Sequence, residues 1–268
     1  MIENIPPALL ALFGGTITFT FTALGSALVF FFSKEIKHKV FASMYGFAAG
    51  VMMAASFWSL LAPSIELSKN TNLPNWVIPA FGFLFGAFFI WVLDKILPHM
   101  HIVNGNEQKE GTNTKLSKNI LLFLAVTLHN IPEGLAVGIT FGAFSIGNAD
   151  VTFNAALVLA LAIGLQNFPE GAAVSLPLKT NGVSNIKSFL FGAISGIVEP
   201  IAAVIGALAV TKLTLILPIA LSFSAGAMIY VVVEELVPEA VAEEHNHFGV
   251  FGFIIGFAVM MVLDVALG

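Results

Sequence analysis

Two stretches decide how this chain is read: LHNIPEGLAVG at residues 128–138 and LQNFPEGAAVS at residues 165–175. Each sets a glutamate, directly preceded by proline, inside a long apolar run and four residues after a His or a Gln. An ionised side chain at the centre of a bilayer costs roughly 2.5–3.5 kcal/mol on insertion scales. Glu199, in VEPIA at residues 198–202, adds a third carboxylate in another apolar run. Three together cost about 7.5–10 kcal/mol, as much as the net stability of a whole domain. The chain offers no internal cation to offset this. It has no arginine, and all 11 lysines fall at or beyond the ends of the apolar runs. Either the carboxyls are protonated or a cation comes from outside the protein.

With 57% hydrophobic and 10% charged residues, against about 25% charged in soluble domains, the chain reads as an all-α membrane protein. Apolar runs able to cross about 30 Å of hydrocarbon fall at 7–33, 40–64, 76–98, 119–144, 151–178, 187–210, 213–237 and 248–267. That gives eight transmembrane helices in one polytopic membrane domain, 1–268. The opening MIENIPP has no basic residue, so the first run reads as a retained span and not as a cleaved signal. Lysines gather on the cytoplasmic side of membrane proteins. Nine of the 11 lie in the connections after the first, third and fifth spans, with Lys69 and Lys212 on the other side, so both termini are expected to be extracytoplasmic. The polar connection at 98–118 is expected to be a mobile cytoplasmic loop. Pairs at GxxxG spacing (Gly46/Gly50, Gly82/Gly86, Gly134/Gly138, Gly192/Gly196, Gly252/Gly256) predict close helix contacts.

Within each motif, His129 with Glu133 and Gln166 with Glu170 stand at i and i+4, on one helical face. The motifs begin 37 residues apart on consecutive spans, so their helices run antiparallel. This is the inverted repeat that in transporters places a substrate site near the midplane. Pro132 and Pro169 lack an N–H for the carbonyls of Leu128 and Leu165, and Pro200 likewise for Gly196, which predicts kinks and freed carbonyls beside the carboxylates. The chain has no cysteine, so imidazole, carboxylate and amide oxygen are left as metal ligands. They suit zinc, manganese, ferrous iron or cadmium better than cuprous copper.

HNIPEG in the fourth span, QNFPEG in the fifth and the Glu-Pro of the sixth, in that order, resemble the ZIP family of divalent-metal transporters. Gln166 at the head of the second motif is similar to the bacterial GufA-like branch. The resemblance implies a transport site of His129, Glu133, Gln166 and Glu170, and a second, adjacent site of Asn130, Asn167 and Glu199 bridged by Glu133 and Glu170. Asn167 stands where some members have Asp, which weakens that second site. It also implies a homodimer in which helices 1, 4, 5 and 6 shift against 2, 3, 7 and 8. The branch points to a bacterial plasma (inner) membrane. The expected partners are divalent metal ions and the lipid bilayer, with no nucleic acid. Zn2+ is expected as cargo, with no cofactor.

Towards the cytoplasmic side, Glu234, Glu235, Glu239, His99, His101, His245 and His247 are candidates to receive a released ion. On the opposite side Ser56, Ser59 and Glu66 are candidates for an entrance, while Asp264 has no evident partner in the sequence. The expected activity is uptake of divalent transition metal, zinc first. Because ligands must shed protons to bind metal, transport should depend on pH. A proton-coupled carrier of a small organic cation is the alternative. An intramembrane metalloenzyme fits less well, because HExxH is absent and the order is the reverse of the Glu-x-x-His of di-iron bundles.

Overall fold

The computed structural model describes residues 5–32, 38–69, 71–96, 99–103, 106–110, 118–148, 151–180, 182–212, 216–242 and 247–267. The helical segments are α1 (Pro7–Phe30), α2 (Lys39–Ser68), α3 (Val77–Ile96), α4 (Lys118–Ser145), α5 (Phe153–Thr180), α6 (Asn185–Thr211), α7 (Leu217–Ala240) and α8 (His247–Leu267). Among the described residues, seven of these, α1–α3 and α5–α8, are long and apolar enough to cross a membrane. α4 carries the first motif and has 28 residues, about 42 Å of helix at 1.5 Å per residue. Large apolar side chains point outward along α3 (Phe81, Leu84, Phe88) and α8 (Phe251, Ile254, Ile255), as they do when the surroundings are lipid and not water. This is a helical membrane protein.

The helices sort into two groups. α2 packs along α8 and α3 along α7, with α2 and α7 in contact. α1 packs against α4, α5 and α6, and α4 lies along α6. Glycine makes both groups tight. A Cβ on Gly46 or Gly50 would strike the backbone of α8 at Gly249 and Phe253, one on Gly86 would strike Phe223 of α7, and one on Gly138 would strike Ala203 of α6. Among the described glycines, each one whose added Cβ would collide meets a helix of its own group. The seam between the groups, where α5 meets α2 and α8 and α4 meets α7, is made by side chains. A groove of about 720 Å³ opens there, lined by Phe21, Met44, Phe168 and Ile255 among others.

α4 and α5 continue as helices through Pro132 and Pro169, and one expectation about the backbone is corrected. The carbonyl of Gly196 is not free, because the chain tightens at 196–197 and the Glu199 N–H bonds to it at 3.0 Å. The widened turns lie elsewhere, as π-helical segments at Ser56–Leu61 in α2 and Val232–Leu236 in α7. Each is followed two residues on by a proline, Pro63 or Pro238, whose missing N–H disrupts the ladder at that turn.

Within the connection expected to be a mobile loop, β1 (His99–Val103) pairs antiparallel with β2 (Asn106–Glu110), and residues 98, 104, 105 and 111–117 of it lie outside the described residues.

Lys179, near the end of α5, donates from Nζ to the carbonyls of Val29 and Phe32, at 2.7 Å each. It thereby satisfies carbonyls that the end of α1 leaves over. Lys179→Met should lower stability by about 1.5–3 kcal/mol, the worth of a hydrogen bond to a charged group, measured as an earlier thermal transition of the purified protein.

Candidate metal centre

α4 supplies His129, Asn130 and Glu133, α5 supplies Gln166, Asn167 and Glu170, and α6 supplies Glu199, all of them buried. A line of amides connects the carboxylates. Gln166 Nε2 donates to Glu133 Oε1 at 2.5 Å and lies 3.2 Å from Asn167 Oδ1. Asn167 Nδ2 donates to Glu199 Oε2 at 2.7 Å, and Glu199 Oε1 accepts from the Thr22 hydroxyl of α1 at 2.9 Å. Asn130 Nδ2 donates to the carbonyl of Ser195 at 3.1 Å, which fixes α4 against the tight turn of α6. The three carboxylates are near enough for their charges to interact, Glu133 with both Glu170 and Glu199.

These bonds leave acceptors over. Among the described residues, none donates to Asn130 Oδ1, Glu133 Oε2, Gln166 Oε1 or either oxygen of Glu170, all of them buried. Each buried polar atom left so costs about 1–3 kcal/mol, more when charged. All five are oxygens, and atoms of this kind are satisfied by a hard or borderline cation.

His129 is turned the other way. Its Nε2 lies 2.5 Å from Glu235 Oε1, so an imidazole of α4 meets a carboxylate of α7 across the seam. Glu235 sits in the π-helical segment, whose extra residue per turn changes the side chain aimed inward. Glu235, one of the candidates towards the cytoplasmic side, thus touches the cluster itself, and its charge also acts on Glu170. Glu234 is exposed and Glu239 half-buried on the same segment of α7, and His247 is exposed at the start of α8. His99 and His101 lie on β1; their side chains, and His245, lie outside the described residues. Among the described residues, no three His, Asp or Glu side chains come together closely enough to hold a metal ion.

Thr22 was missed because a threonine in an apolar run carries no signal by itself. On the opposite side, Asp264 does have a partner, the Ser59 hydroxyl at 2.7 Å, beside a cavity of about 200 Å³ lined by Trp58, Pro63 and Thr140. Glu66 is paired with Lys69 at 2.6 Å on the exposed surface, and Ser56 is buried.

The comparisons with known proteins agree with one another. The family model described as ZIP Zinc transporter matches residues 8–119 and 104–264. The chain is 40% identical to "Zinc transporter ZIP11" of Xenopus tropicalis, with all of both chains covered. It is 35% identical to "Zinc transporter GufA" of Myxococcus xanthus, over 93% of this chain and 95% of that one. It is 36% identical to "Zinc transporter ZIPB" of Bordetella bronchiseptica, over 96% of this chain and 81% of that one. The match is therefore to proteins named as transporters, along the whole chain and through both motifs, and the chain belongs to the ZIP family of zinc transporters.

Proposed function

We propose that the chain carries divalent transition-metal ions, zinc first, into the cytoplasm, and that the ion passes through the buried cluster of α4, α5 and α6. The observation that carries this reading is the set of five buried, donor-less oxygens on Asn130, Glu133, Gln166 and Glu170, in a chain whose lysines are all placed away from them. Oxygens on two carboxylates and two amides bind a dication with moderate strength. With no cysteine in the chain, nothing there holds zinc as a closed thiolate site does. His129 joins the ligands when it leaves Glu235, and Glu235 then stands ready on the far side of the seam. With α4 as an eighth span both termini share one side, and the lysine placement makes that side the outer one. The working form is a homodimer in a bacterial plasma membrane.

Zinc influx into proteoliposomes tests the reading. His129→Ala and Glu170→Ala should each lower saturable influx at least tenfold while the protein elutes and melts as a folded species. Manganese and ferrous ions should compete. Parent-like influx in both variants would refute this assignment of the pathway.

A further inference from the structure

We propose that Thr22, Asn167 and Glu199 form a closed clamp that stands in place of a second metal ion, so that the chain handles one ion at a time, at the open oxygens of Glu133, Gln166 and Glu170. The proposal rests on the reading of this cluster as the transport site. It reverses the role that the family resemblance gives Asn167 and Glu199, from ligands of a second ion to positioning residues for the first.

The hydrogen bonds divide the cluster into an open half and a closed half. Among the described residues, Glu133 and Glu170 keep three buried carboxylate oxygens without a donor, and Asn130 and Gln166 keep their carbonyl oxygens. Glu199 keeps none, since one oxygen accepts from Thr22 at 2.9 Å and the other from Asn167 at 2.7 Å. Asn167 is used on both sides, with Nδ2 spent on Glu199 and Oδ1 facing Gln166 Nε2 at 3.2 Å. The amide orientation is fixed by its surroundings. Reversed, Asn167 would set its oxygen against the Glu199 carboxylate and its NH2 against the Gln166 NH2. An amide that presents N–H to this carboxylate cannot at the same time ligate a metal shared with it.

Space and charge agree with this division. A Cβ on Gly196 would lie 2.8 Å from Glu199 Oε1 and 2.9 Å from the Cβ of Thr22, so on its Gly196 side that carboxylate is closely packed against protein. On the open side, two carboxylates balance the charge of one dication. The third is solvated by a hydroxyl and an amide, neutral groups that serve it whether or not an ion is passing. Thr22 ties the arrangement to α1, so Glu199 and Asn167 hold the α5 motif in register against both α1 and α6.

The test is the amount of zinc retained by the purified full-length protein after equilibrium dialysis, read by elemental analysis, alongside thermal melting of the metal-free protein. The parent should retain one zinc per chain, and Glu199→Gln should also retain one. Asn167→Asp should retain two, because it replaces the donor with a carboxylate that faces Glu199 and requires a cation between them. Without metal, Thr22→Val should melt earlier than the parent, and Thr22→Ser, which keeps the hydroxyl, should restore the parent value. Two zinc ions in the parent, falling to one in Glu199→Gln, would overturn the single-ion claim and leave the transport site standing. Zinc retained by none of the variants would overturn the transport site and the single-ion claim together. A metal-free melting temperature in Thr22→Val equal to that of the parent would overturn the clamp.

Discussion

Glu133→Ala is expected to abolish saturable zinc influx while leaving a folded protein. Glu133 is fully buried, one of its oxygens holds the Gln166 amide, and the other faces the cluster with no donor. Removing the carboxylate deletes an ion ligand and releases Gln166, whose own open oxygen is held in place by that bond. Half of the proposed ligand set is thus lost through one side chain, and influx should fall at least a hundredfold. Folding should suffer less. The amide left unpaired costs about 1–3 kcal/mol, and that is partly returned because a buried carboxyl no longer has to be kept from water. Influx and melting temperature measured on the same preparation check both halves. Persistent saturable influx would mean that the ion does not cross at Glu133.

Gly171→Val is expected to have the largest effect on the fold. A Cβ at residue 171 would collide with the carbonyl oxygen of Thr22 and come within 2.9 Å of its carbonyl carbon. From the other side, a Cβ on Gly25 would strike the carbonyl oxygen of Phe168. Here α1 and α5 touch backbone to backbone, so no rotamer change makes room. Overpacking in a core costs about 1–3 kcal/mol where side chains can yield. With only backbone to move, the cost should reach or exceed about 3 kcal/mol. The displaced α1 also draws the Thr22 hydroxyl away from Glu199. Loss of a monodisperse peak in size exclusion, or a melting point lowered well beyond that of Lys179→Met, checks the expectation.

The helical plan was legible because long apolar runs admit few alternatives, and the ends of α1–α8 lie within a few residues of those runs. The i, i+4 spacing put the candidate residues on one face of α4 and of α5, and it did not foresee the turn of His129 towards Glu235. Local backbone detail was much less legible. The carbonyl of Gly196 was expected to be free, yet the chain tightens there and the Glu199 N–H takes it, a local choice that the proline alone does not encode. The π-helical segments left no periodic signature, and so the contact of Glu235 with His129 could not be read from spacing. Thr22 was invisible for a different reason. Its role depends on α1 lying against α6, a long-range contact that no pattern within α1 encodes.

The side-chain seam has a practical consequence for measurement. Met44 of α2 and Phe168 of α5 both line its groove, and the native chain contains no thiol at all. Cysteines at these two positions would be the molecule's whole complement of reactive sulfur, free of background labelling. Bifunctional reagents of graded length would then serve as a ruler for the width of the seam, in detergent and in a bilayer alike.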